Sequence, residues 1–363
     1  MIPVTKPYLP SQEKFARYVD GIYSRSRLTN QGPLVEELTS RLESHLSVEN
    51  LLLVANGTLA LQIAYRAVAI PSRAKDATAI TTPFSFIATT SSLRWEGIDP
   101  IYVDIDARGW CLDARRVTAA LDQSSRILVP VHVFGNACDV ETLEQIAASH
   151  ELKLIYDGAH AFGVKYRGKS LLRYGDATTL SFHATKLFHT IEGGAIVFRN
   201  REDFERARHM INHGQSSDGK VEGLGINAKM NEFQAAMGLC VLDDMADILE
   251  RRAEIWGRYQ AGLKDTFQLQ EITPNCEINY SYFPIVFENE AILCDAKAIL
   301  EAAGYFPRRY FYPSLETLSN KIGKDCLSNS RAVSEKVLCL PLYPELGLGD
   351  VESIIELTRQ AVK

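Results

Sequence analysis

The sequence predicts an α/β fold with a mainly parallel sheet, followed by a smaller C-terminal α+β region, and three observations carry that prediction. The β-rich runs ATAITTP, IYVDI, RILVPV and LKLIYD succeed one another from Ala77 to Asp157, with helical or loop-like stretches between them. Alternation of this kind builds a sheet covered by helices. Residues able to do chemistry fall at the carboxyl ends of these runs, where open α/β sheets collect their ligands. Beyond residue 247 the pattern changes to strand-like Tyr282 to Phe287 and Val337 to Leu340 among helices. The expected division is therefore a large region, residues 1–247, and a small C-terminal one, residues 248–363.

Taken in order, an irregular start with Pro3, Pro7 and Pro10 leads to a turn at LTNQGP, after which Leu34, Leu38 and Leu42 recur at helical spacing. Pro33 suits the first turn of that helix. The apolar run Leu51 to Val54 passes through Ala55-Asn56-Gly57-Thr58 into the helical Leu59 to Ala64. A strand turning through glycine into a helix leaves free backbone amides that attract phosphate, although most such turns bind nothing. Leu143, Ile146 and Ala147 mark one face of a helix starting near Asp139. The stretch LSFHATKLFHTIEGGAIV, Leu180 to Val197, sets Lys186 between a short β-type run and a Glu192-Gly193-Gly194 turn, with Ser181 upstream. After the charged helix REDFERARHM and a polar loop, Phe233 to Leu242 is apolar nearly all round and is expected to be buried against helices or a second subunit. The C-terminal region adds a helix reaching Leu300 and ending at Gly304, a basic aromatic run from Phe306 to Pro313, and a last helix with Val351, Ile354, Ile355 and Thr358 on one face.

Composition narrows the function. The chain has 363 residues, 46% hydrophobic and 23% charged, enough to bury a large core without staples. It has no apolar run of the roughly 18 to 20 residues needed to span a membrane and no secretory signal, so a cytoplasmic protein is expected. A net charge of −6 argues against broad nucleic-acid or membrane binding. The seven cysteines (Cys111, Cys138, Cys240, Cys276, Cys294, Cys326, Cys339) form no C-x-x-C pair, and most sit in apolar surroundings that read them as small buried hydrophobes in a reducing compartment. No metal-spaced cluster is visible.

Lys186 holds the chemical interest. An amine in a partly desolvated pocket loses proton affinity and becomes a nucleophile able to form an imine with an aldehyde. Pyridoxal phosphate is the common biological aldehyde of that kind, and it needs a lysine, an acid at the pyridine nitrogen, a flat side chain on the ring and a phosphate cradle. Asp157 closes its strand and could supply the acid, or could simply cap the following turn. His160 could reach the ring from the same turn. Phe86 could lie on the ring, or either of Phe84 and Phe86 could be core.

The motifs LTNQGP, ANGTLAL, TTPFSFIATT, PVHVFGNACD, YDGAHAFG, SFHATK, EGGAIV, NAKMNEFQAA and FYPSL, in this order over essentially the whole chain, resemble the DegT/DnrJ/EryC1/StrS sugar aminotransferases, which are fold-type-I pyridoxal phosphate enzymes. The resemblance implies pyridoxal 5'-phosphate as cofactor, Lys186 as the lysine that bonds to it and carries the proton, and Asp157 on the pyridinium nitrogen. It further implies Phe86 as the stacking residue, His160 near the phenolic oxygen, and Gly57, Thr58 and Ser181 as the phosphate cradle. Asn227 resembles the asparagine that reaches the cofactor phosphate of the neighbouring subunit, which implies a homodimer. The chain departs from the family's usual pattern at Lys229, commonly arginine, and at Gly158, commonly alanine. Lys186 disfavours the dehydratase branch, in which histidine replaces this lysine. INAKMNEFQAA, PVHVFGNACDVE and VLCLPLYP most resemble enzymes that aminate C4 of dTDP-4-keto-6-deoxyglucose with L-glutamate as donor, a step of deoxyamino sugar biosynthesis for O-antigen and lipopolysaccharide. The expected partners are thus a nucleotide-linked ketosugar, L-glutamate and a second copy of the chain. Amination at C3, a UDP-sugar substrate, and a noncatalytic binding protein on the same scaffold are the alternatives. The rim Arg308, Arg309, Tyr310 and Tyr312 could hold the nucleotide diphosphate, or be solvated arginines at a hinge.

Overall fold

The computed structural model describes residues 1–68, 77–216, 218–318 and 327–362. Its centre is a seven-stranded sheet of β1 (Leu51–Val54), β2 (Thr78–Thr81), β3 (Asp99–Tyr102), β4 (Ser125–Val129), β5 (Lys153–Asp157), β6 (Ala177–Ser181) and β7 (Gly194–Phe198), in the spatial order β1-β7-β6-β5-β4-β2-β3. The pairs β3–β2, β2–β4, β4–β5 and β5–β6 are parallel, and only β7 runs against its neighbours β6 and β1. Residues 182–193 reverse the chain at the carboxyl edge, so β7 returns antiparallel without the crossover that a parallel partner requires.

Both sheet faces are covered, which is why the strands read as continuous apolar runs rather than alternating ones. Leu51 and Leu53 join an apolar cluster with Leu34, Leu38 and Leu42 of the helix Pro33–Leu46, whereas Leu52 and Val54 join one with Ala60 and Ala64 of the helix Gly57–Ala67. A third cluster lies in the C-terminal region, where Tyr259, Phe283, Leu293, Leu338 and Ile354 pack together. There the strands Gln268–Leu269, Phe283–Val286 and Val337–Leu340 form an antiparallel sheet beside the helices Met245–Leu263, Glu290–Ala302 and Leu348–Gln360. The strand Ile2–Pro3 pairs in parallel with Tyr305–Phe306, so the N-terminal segment reaches across to this region.

The helix Glu232–Asp243, apolar nearly all round, packs against Pro33–Leu46 and Gln12–Arg25. Its first residue explains two motifs at once. The buried Glu232 carboxylate accepts the amides of Leu34 and Val35 at 3.1 and 3.0 Å, closing the N-terminus of the helix Pro33–Leu46 from outside. A Cβ at Gly32 would stand 2.5 Å from the Glu232 Cδ, so the glycine of LTNQGP is what admits the glutamate of MNEF. Glu232→Ala strands two buried amides and is expected to cost about 3 kcal/mol of folding stability. Urea unfolding measures this, and a loss below about 1 kcal/mol would contradict the capping role.

Cys111, Cys138, Cys240 and Cys339 are buried as expected, Cys276 is half-buried, and Cys294 is the exception, exposed on the outer side of its helix. Cys326 lies outside the described residues. Among the described residues no helix is long and apolar enough to cross a membrane, and no group of three or more His, Cys, Asp or Glu is placed to hold a metal ion.

Candidate active site

The carboxyl ends of β1, β5 and β6 and the segment after β2 converge on a cavity of about 290 Å³, closed on its other side by Tyr282, Arg308, Tyr310 and Phe311 from the C-terminal region. Asp157, the last residue of β5, is 6% exposed and lines it. One carboxylate oxygen accepts the Ala159 amide at 3.1 Å, and the other accepts the Thr89 hydroxyl at 2.7 Å. The turn-capping role and the cavity role therefore coexist in one side chain. Thr89, on the helix Ile87–Trp95, is in turn 2.8 Å from the Ser85 hydroxyl.

His160 Nδ1 accepts the Phe134 amide at 3.1 Å, which leaves the proton on Nε2. Burial, assisted by the charge of Lys186, pushes the imidazolium well below its usual range, so the ring is a neutral donor. Lys186 lines the same cavity, with Nζ 3.5 Å from the Tyr282 hydroxyl. Burial lowers its ammonium pKa from the ordinary 10.5, while the charge of Asp157 opposes that shift. A lysine placed in this way can act as a nucleophile once it has lost its proton.

At the end of β1 the Asn56 side chain accepts the Leu59 amide at 2.9 Å, and its carbonyl accepts that of Ala60 at 3.0 Å. The amides of Gly57 and Thr58, first in the helix Gly57–Ala67, have no protein acceptor among the described residues. A Cβ at Gly57 would lie 2.9 Å from Ser181 Cβ, so glycine is what lets the helix end and the Ser181 hydroxyl share one corner. These groups suit a phosphate dianion. Phe84 is fully buried in the core, whereas Phe86 is 57% exposed and lines the cavity, which separates the two phenylalanines that the sequence left equivalent.

The donor set fits pyridoxal phosphate. A half-buried amine, a fixed carboxylate, a neutral imidazole, an open aromatic face and an empty-handed helix N-terminus border one cavity of suitable size.

The rim divides. Arg308 and Tyr310 line the cavity, with Arg308 Nη1 3.4 Å from the Tyr310 hydroxyl. Arg309 turns away to Glu290 at 2.7 Å and to the Glu335 carbonyl at 2.8 Å, and its guanidinium covers the Tyr312 ring at 3.4 Å. Tyr312 stands outside the cavity lining, 48% exposed. Asn227 is also exposed and outside the cavity of its own chain, its backbone bridged to Asn212, whose side chain accepts Lys229 Nζ at 2.7 Å. Thr89 and Tyr282 were missed from sequence. The Ser85/Thr89 spacing of four in SFIATT could have pointed to the first, whereas nothing local marks the second.

A sequence model of the DegT/DnrJ/EryC1/StrS aminotransferase family matches residues 10–359. A dTDP-4-amino-4,6-dideoxy-D-glucose transaminase from Shigella dysenteriae is 38% identical over 98% of both chains. Its namesake from Escherichia coli is 34% identical over 99% of this chain and 97% of its own. The crystal structure of DesI in the presence of its TDP-sugar product superposes with a TM-score of 0.92 at 29% identity, covering 100% of this chain and 93% of that one. Lys186, Asp157 and the Gly57 corner thus stand in a chain matched nearly end to end, and the chain belongs to the DegT/DnrJ/EryC1/StrS aminotransferase family.

Proposed function

We propose that the chain moves an amino group from L-glutamate to C4 of dTDP-4-keto-6-deoxy-D-glucose, giving dTDP-4-amino-4,6-dideoxy-D-glucose. The observation that carries this reading is the 38% identity to the Shigella transaminase along 98% of both chains, in a protein whose Lys186 and Asp157 line one cavity.

The cofactor is pyridoxal 5'-phosphate, which when bound supplies a reactive carbonyl carbon and a ring that accepts the electron pair released when a carbon beside nitrogen loses its proton. Lys186 Nζ, its proton affinity lowered by burial, is the nucleophile and then the base that takes and returns that proton. Asp157, oriented by Thr89 and the Ala159 amide, is placed to keep a ring nitrogen protonated. His160 would donate from Nε2, Phe86 would lie against the ring, and Gly57, Thr58 and Ser181 would take the phosphate. Arg308 and Tyr310 are assigned to the sugar nucleotide, its diphosphate suiting the guanidinium. Because the donor and the acceptor meet one base in one cavity, they react in turn and ping-pong kinetics follow.

Three further assignments belong to this reading. The chain works as a homodimer, with Asn227 reaching the partner's cofactor phosphate; its exposure and the adjoining exposed Val221, Leu224 and Ile226 support this. Residues 1–247 form the cofactor-binding part and residues 248–363 the smaller one; each has an apolar cluster of its own, and a further cluster crosses between them through Tyr282, Phe311 and Val337. The protein acts in the cytoplasm, in the supply of amino sugars for surface polysaccharide.

Incubation with [15N]glutamate and dTDP-4-keto-6-deoxyglucose tests the reaction. The expected product carries the label on C4 by NMR, and label on C3, or preference for a 3-keto or UDP-linked sugar, would overturn the substrate assignment.

A further inference from the structure

Tyr282 stands immediately before the strand Phe283–Val286, and its hydroxyl is the only hydrogen-bond partner of Lys186 Nζ among the described residues, at 3.5 Å. Catalytic contacts are often this long before substrates tighten them. The ring is held on several sides. It lies 4.7 Å from His160, 5.4 Å from Phe134, and 5.8 Å, nearly perpendicular, from Tyr310.

The backbone beside it is clamped as well. The buried Arg252 guanidinium donates to the carbonyls of Tyr280 and Ser281 at 3.3 and 3.2 Å. Buried Asn279 accepts the Ser281 amide and hydroxyl at 3.2 and 2.7 Å, and donates to the His160 and Phe162 carbonyls, both at 2.8 Å. The residues leading into Tyr282 are thereby tied to the turn that carries Asp157 and His160. A hydroxyl fixed in this way has a defined place relative to the cofactor groups, although it comes from the C-terminal region.

Lys186 needs such a fixed point. A lysine side chain carries about 2 kcal/mol of rotamer entropy, and one released from its bond must stay within reach of the carbon whose proton it handles. We propose that Tyr282 is a positioning residue for Lys186, its hydroxyl accepting a hydrogen bond from the Nζ ammonium and holding the amine in place while the lysine carries the proton. Burial raises the phenol above its usual range, so it remains a neutral hydroxyl at working pH.

The proposal rests on Lys186 being the reacting lysine, and Tyr282→Phe tests it because the ring and its packing survive. Asp157, His160, His183, Glu192, Arg308 and Tyr310, the other ionisable groups lining the cavity with the amine, are left in place. Competitive labelling of the cofactor-free protein with acetic anhydride across pH, read on the Lys186 peptide by mass spectrometry, gives the amine's titration. The other lysines of the digest report whether the fold is intact. Removing an acceptor of the ammonium should lower the Lys186 titration by about 0.5 to 1 pH unit. In the loaded enzyme both half-reactions should slow by about 10- to 100-fold, with KM for each substrate within a factor of about three. An unchanged Lys186 titration, or unchanged half-reaction rates in a variant beside an active wild type, would overturn the proposal. An inactive wild type would instead count against the transaminase reading.

Discussion

Lys186→Ala is expected to lower turnover by ~10⁴-fold or more, since it removes the nucleophile and the proton carrier together. Stopped-flow absorbance of the glutamate half-reaction measures the loss, and residual turnover within about 100-fold of wild type would contradict the role. Stability is expected to move little, or upward. A base whose folded pKa is depressed binds fewer protons in the native than in the unfolded chain at any pH between that value and 10.5. The native state therefore loses stability on this account as pH falls through the folded pKa of Lys186. Alanine removes that liability. A large drop in Tm would mean that Lys186 holds the fold, and would make the kinetic loss uninformative.

Asp157→Asn should lower turnover by about 100- to 1000-fold, the scale of removing one fixed electrostatic partner from a reacting group. It should also have an effect of opposite direction on Lys186. The Asp157 charge raises the lysine's pKa against the burial that lowers it, so the amide variant lets the titration fall further and increases the free amine near neutral pH. Amine-labelling of the cofactor-free variant should then find Lys186 more reactive while catalysis collapses. Asparagine can still accept the Ala159 amide on its one carbonyl oxygen while its NH2 donates to the Thr89 hydroxyl, so the side chain keeps its place although the Thr89 bond reverses. Loss of both reactivities would place the effect in misfolding rather than in charge.

What the sequence discloses follows the range of the interactions. β1, β4 and β5 are buried on both faces, and their unbroken apolar runs were therefore legible. So were Asp157 and Lys186, because position at or just after a strand end is a local property that already implies the cavity, whereas Ser181 was singled out through the family resemblance. The pairing of β7 between β1 and β6 was not legible, since order within a sheet is decided by packing between distant segments. The same holds for side chains meeting across long separations. Thr89 reaches Asp157 from 68 residues away and Tyr282 reaches Lys186 from 96. The basic aromatic rim shows the limit best. Arg308 and Arg309 are adjacent in sequence, yet the extended backbone, bonded through Arg308 to Cys339, sends one to the cavity and the other to Glu290.

The most direct test of a cofactor carried by Lys186 is reduction of the yellow, cofactor-loaded protein with borohydride, followed by proteolysis and mass spectrometry. One reduced pyridoxyl phosphate group per chain is expected, on the peptide containing SFHATK and on Lys186 itself. Modification of a different lysine, such as Lys229, or a protein that takes up no cofactor, would contradict it.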